Sequence, residues 1–97
     1  MKTATEDQIK AWKAEHGDVY QIKVEDSVCY LKKPDRKTLG YASQAGKTDP
    51  MKFNEVIIKG CWLFGDEEIQ TNDSLFLGAC TQLAVVVAFK EAELVKL

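Results

Sequence analysis

The chain has 97 residues, 45% hydrophobic and 29% charged, which suits one folded domain and excludes a disordered segment or two separate domains. Thirteen Lys and Arg against fifteen Asp and Glu leave a net charge of −2, without the basic excess that binding to nucleic-acid phosphates requires. The longest apolar run, Leu83 to Phe89, is seven residues, against the roughly 20 that a membrane-spanning helix needs. The opening Met1–Asp7 has no apolar stretch of the kind a secretory signal carries. Together these predict a soluble intracellular domain with neither nucleic acid nor membrane as its partner.

The first predicted element is a helix. Thr5-Glu6-Asp7-Gln8 fits a capping box, in which the Thr hydroxyl and the Gln amide each satisfy a free backbone N–H. Ile9 and Trp12 follow on one face, and Gly17 is able to take the left-handed conformation that ends a helix. His16, in the last turn, reads as a solvated helix end. The period then changes. Tyr20, Ile22 and Val24 alternate, Glu25-Asp26-Ser27 supplies turn formers, and Val28-Cys29-Tyr30-Leu31 is rich in strand-forming types. This predicts one β-hairpin over residues 19–31, which two strands alone would hold only marginally in water, so helices or another chain must cover it.

Lys32-Lys33-Pro34-Asp35 predicts the start of a second helix, with Pro34 near its first position, Leu39, Ala42 and Ala45 on its apolar face and Gly46 at its end. Asp49-Pro50 predicts a third, with Phe53, Val56, Ile57 and Gly60 recurring at i, i+3, i+4 and i+7. Cys61-Trp62-Leu63-Phe64-Gly65 is a dense apolar patch running into Asp66-Glu67-Glu68. A long last helix, capped by Asn72 or Asp73, carries Phe76, Ala79, Cys80, Leu83, Val86 and Val87 on one stripe and reaches Leu94. The run 83–89 also suits a buried strand, but the helix formers flanking it favour a helix. The predicted fold class is α+β: a mainly helical single domain of about four helices, with one hairpin. Ile9, Trp12, Ile22, Phe53, Val56 and Ile57 are its expected core.

Little in the chain points to catalysis. Cys29, Cys61 and Cys80 are an odd number of widely spaced thiols, which reads as reduced, buried packing residues rather than a disulfide framework. With His16 the lone histidine, no set of ligands is spaced for a structural zinc. The glycines at 17, 40, 46, 60, 65 and 78 form no phosphate loop. Asp66-Glu67-Glu68 lacks the alternating ligands of a calcium loop and reads as a solubilising acidic segment. A non-catalytic protein without cofactor or metal is therefore expected.

Two features point to binding instead. Residues 32–59 carry seven basic and three acidic groups, +4, whereas residues 60–97 carry two and six, −4. Such a dipolar surface suits self-association or a charged partner, although solvated helix faces produce the same count. The second feature is apolar supply. Trp62, Leu63 and Phe64, with Leu83, Val86 and Val87 of the last helix, exceed what one small core needs, so they either plug the core or anchor a partner. As a partner-binding surface they make a homo-oligomer or a hetero-complex the expected state.

Lys32-Lys33-Pro34-Asp35-Arg36, Asp49-Pro50-Met51-Lys52-Phe53-Asn54-Glu55, Cys61-Trp62-Leu63-Phe64-Gly65-Asp66-Glu67-Glu68-Ile69 and the segment from Leu75 to Leu97 together resemble the small tail assembly chaperones of bacteriophages and prophages. The likeness runs from about residue 5 to the C-terminal end, in order and at similar spacing. It implies a protein that acts in the bacterial host cytoplasm, binds the long tape-measure protein, helps recruit tail-tube protein and is absent from the finished particle. Many members also have a frameshifted C-terminal extension, which these 97 residues do not show. An adaptor module of another bacterial system, or a small ligand-binding regulatory domain with a polar-lined pocket, are the competing readings.

Overall fold

The computed structural model of the chain describes residues 1–88 and 92–97. Helix α1 (Glu6–His16) opens on the expected capping box: Gln8 N donates to Thr5 Oγ1 at 3.1 Å and Thr5 N donates to Gln8 Oε1 at 2.9 Å. It ends at Gly17, where φ is +83° and the N–H donates back to Lys13 O. Strands β1 (Val19–Val24) and β2 (Ser27–Lys32) then pair antiparallel, Ile22 opposite Cys29 and Val24 opposite Ser27, which leaves Glu25-Asp26 as a two-residue turn. Glu25 has φ +53°, the left-handed geometry that tight hairpins demand of their turn residues.

Helix α2 (Arg36–Gly46) begins later than the Pro34 reading predicts. Its cap is Asp35, whose carboxylate accepts from Thr38 N at 2.8 Å, and Pro34 lies buried before it. Helix α3 (Pro50–Cys61) is capped by Asp49, which accepts from Met51 N at 3.0 Å, and has Pro50 at its first position. The three residues between the helices fold α3 back on α2. Gly46 meets Phe53 at one end of the pair and Gly60 meets Thr38 at the other, so the two run antiparallel. The inward face of α3 is Ile57, Ile58 and Cys61, turned from the expected stripe: Phe53 and Val56 are half-buried and Gly60 is exposed.

The apolar patch after α3 is a third strand, β3 (Trp62–Gly65), antiparallel to β2, giving a sheet ordered β1-β2-β3. Thus β3 takes the edge of β2 that a hairpin alone leaves open, while β1 keeps its outer edge. The pairing carries a bulge: Leu31 opposes Trp62 and Tyr30 opposes Phe64, with Leu63 the extra residue. Gly65 has φ +144°, and a Cβ there would lie 2.5 Å from both Cys29 Cα and Val28 O. No other residue fits that conformation in that space.

A single-turn helix, α4 (Glu68–Thr71), precedes the expected long last helix, which is itself two pieces: α5 (Asp73–Cys80, capped by Asn72) and α6 (Leu83–Val86). The break at Thr81 has a local cause. Its hydroxyl donates to Gly78 O at 2.7 Å, and Gln82 N bonds Ala79 O, three residues back rather than four. Val85, Val86 and Val87 then offer little intrinsic helix propensity to resume the ladder. Leu94 lies in no helix, and Phe89 at the end of the apolar run is outside the described residues.

The fold is α+β, with four helices of eight residues or more, two single-turn helices and a three-stranded antiparallel sheet among the described residues. Its main core gathers Ile22, Cys29 and Leu31 from the sheet, Ala42, Ile57, Ile58 and Cys61 from the α2–α3 pair, and Ile69, Ala79, Leu83 and Val86 from the last three helices. Ile9 and Trp12 are not in it. Helix α1 has no fully buried residue and contributes instead to a smaller cluster on the other face of the sheet.

Candidate functional site

The six residues expected to form one partner-binding surface fall in different places. Trp62 packs on the main core beside Leu31, and Leu63 is half-buried at the bulge. Phe64 joins Trp12 and Tyr30 in an aromatic trio with ring centroids 5.7 to 6.4 Å apart. The Tyr30 hydroxyl accepts from Gln21 Nε2 at 2.8 Å and from Ala4 N at 3.1 Å, so the polar end of that cluster is satisfied. Leu83 and Val86 are 3% and 1% exposed. They are core residues, and Val87 is half-buried against them. This corrects the expectation of an exposed stripe: on α6 it is Val85, 60% exposed, that faces solvent.

The acidic segment beside β3 divides in the same way. Glu67 and Glu68 are exposed, as a solubilising loop would be. Asp66 instead ties β3 to β2: its carboxylate accepts from Val28 N at 2.9 Å, and its own N–H donates to Val28 O at 2.8 Å. The bond from Val28 N, then that from Lys2 N, hold its carboxyl below the usual carboxylate range. Burial pushes the Cys29 and Cys61 thiols up to about 11 each, and all three cysteines are free thiols. Raised so far, the two buried sulfurs are poor nucleophiles at neutral pH.

A concavity lies elsewhere, on the outer side of the α2–α3 hairpin. It is an open groove of about 680 Å³. Tyr41, Ala45, Val56 and Gly60 provide its apolar surface, at spacings of four on both helices. Tyr41 is 70% exposed, a large aromatic left in solvent by the folded chain. Lys37 and Lys59 stand at one end of the groove, Lys52 at the other, and Glu55 is the one acid among its lining residues. None of the three lysines lies within 4.0 Å of a carboxylate among the described residues.

The sequence places Ala45, Val56 and Gly60 on the apolar faces of α2 and α3 but leaves Tyr41 out of them, and it gives no sign that these residues meet in a groove. The available signal was Tyr41 with Ala45, and Val56 with Gly60, one aligned pair per helix. No group of His, Cys, Asp or Glu among the described residues is arranged to hold a metal ion, and none of their helices is long and apolar enough to cross a membrane. No family model matches the chain, and neither a curated protein nor a solved structure matches it.

Proposed function

We propose that the protein is a non-catalytic tail assembly chaperone, binding the tape-measure protein of a phage or prophage tail in the host cytoplasm and aiding recruitment of the tail-tube protein. The observation that carries this reading is the apolar groove on the α2–α3 hairpin. Of the segments that carry the family resemblance, Asp49–Glu55 opens α3 and contributes Lys52 and Glu55 to the groove, while Lys32–Arg36 leads into α2 just before it. An apolar strip on an otherwise charged surface suits a protein that holds a long helical chain in solution before assembly.

The test is co-expression with overlapping fragments of the tape-measure protein encoded in the same tail gene cluster. Recovery of a stable complex, with the fragment insoluble when expressed alone, is the expected result. If every fragment behaves identically with and without this chain, the reading is wrong. Capture of a partner from an unrelated system, with no tape-measure binding, would favour an adaptor module instead.

A further inference from the structure

We infer that the α2–α3 groove receives an acidic amphipathic helix of the partner, laid along the hairpin as a third helix. The inference rests on the reading of the chain as a binding protein for a helical chain, and adds which surface is used and which chemistry it selects. On α2 the groove runs from Lys37 to Ala45 and on α3 from Lys52 to Gly60. Eight residues of rise span about 12 Å, or just over two helical turns. Its apolar lining is Tyr41, Ala45, Val56 and Gly60, and the small Ala45 and Gly60 leave room for a helix backbone to come close.

Charge then selects among amphipathic helices. Three lysines at the two ends meet a single acid, Glu55, within a segment whose net charge is +4. Lysines unpaired in the free protein keep the exposed apolar strip soluble and become partners for carboxylates on the incoming helix. A basic helix would set like charges against both ends of the groove. The preferred occupant therefore carries an apolar i, i+3, i+4, i+7 stripe two to three turns long, flanked by Glu or Asp.

The probe is a fluorescein-labelled synthetic helix of three turns with a leucine stripe and glutamate flanks, and a control with the same stripe and lysine flanks. The protein variants are Lys37→Glu with Lys52→Glu, and Tyr41→Ala. Lys37 and Lys52 are exposed and lie in the first turns of α2 and α3, where an acidic side chain suits the helix dipole, so the double variant retains its fold. A thermal melt checks this. Fluorescence anisotropy is expected to show that the acidic helix binds the wild type and the lysine helix does not. In the double variant the acidic helix weakens by about tenfold or more and the lysine helix gains binding. Tyr41→Ala weakens the acidic helix without reversing the charge preference.

Equal binding of both helices, no binding of either, or amide shift changes mapping away from α2 and α3 would overturn the inference. The tape-measure fragments separate it from the broader reading. Fragments captured equally by wild type and double variant would remove the groove and leave the chaperone reading in place. Selective binding of the acidic helix with no fragment captured would do the opposite.

Discussion

Trp62 and Phe64 are two positions apart on β3, yet they lie on opposite faces of the sheet. Regular alternation would put them on the same face. The bulge at Leu63 shifts the register, so Trp62 opposes Leu31 on the core side and Phe64 opposes Tyr30 on the side of α1. One inserted residue thus lets four residues of strand seal two separate apolar clusters.

Alanine substitutions measure this division. Trp62→Ala and Phe64→Ala are each expected to cost about 2 kcal/mol, less than the roughly 3–5 kcal/mol of fully buried aromatics, because both are half-buried. Since they share no partners, the double mutant loses the sum to within about 0.5 kcal/mol. Trp12→Ala with Phe64→Ala, by contrast, shows coupling of about 0.5–1.5 kcal/mol, as the two rings touch. Urea unfolding of the five variants decides the matter. Strong coupling between Trp62 and Phe64 would mean that they share one cluster.

Gly65→Ala is expected to prevent folding of the sheet. The added Cβ would meet backbone atoms of Val28 and Cys29 at 2.5 Å, and the φ of +144° is hostile to any side chain. The expected result is insoluble expression or loss of the cooperative melt. Gly40→Ala, where an added Cβ meets nothing within 4 Å, is the matched control and folds normally. A Gly65→Ala protein as stable as wild type would refute the close approach of β3 to β2.

Asp66 links stability to acid. Its carboxyl is held below its ordinary value by hydrogen bonds from the Val28 and Lys2 N–H groups. Its contribution is therefore complete above the unfolded value of about 3.9 and is lost as pH falls through the lower folded value. Asp66→Ala is expected to lower the melting temperature at pH 7, with the difference from wild type shrinking below pH 4. A difference independent of pH between 7 and 3 would remove the charged hydrogen bond from the account.

The thiols should react in two classes. With values near 11, Cys29 and Cys61 present only about a thousandth of their thiolate form at pH 8, and both are buried. Iodoacetamide on the native protein is expected to modify Cys80, which is half-buried, well before the other two. Peptide mapping after timed quenching gives the order. Rapid labelling of Cys61 would show that the packing of α3 against the sheet opens readily.

Much of this fold was legible because its signals are local. Thr5, Asp49 and Asn72 cap the helices they were read to cap, since a capping side chain reaches only two or three residues along its own chain. The alternation of Tyr20, Ile22 and Val24 marked a strand for the same reason, as successive side chains point to opposite faces whatever the partner is. The break at Thr81 was equally local but was hidden under a continuous apolar stripe. What stayed hidden depends on residues far apart in the chain. Four residues at 62–65 are too few to show a period, and they form a strand because β2 lies free to pair with them some thirty residues earlier. Leu83 and Val86 read as surplus apolar surface until the sheet is given two faces; once α1 and the aromatic trio occupy one, the other has room for them. The groove arises because α2 and α3 bury Ala42, Ile57 and Cys61 in the main core, which leaves exposed Tyr41 and half-buried Val56 to line one outer surface together. Capping and period are properties of a segment, whereas burial is settled by which surfaces meet, and that depends on the whole chain.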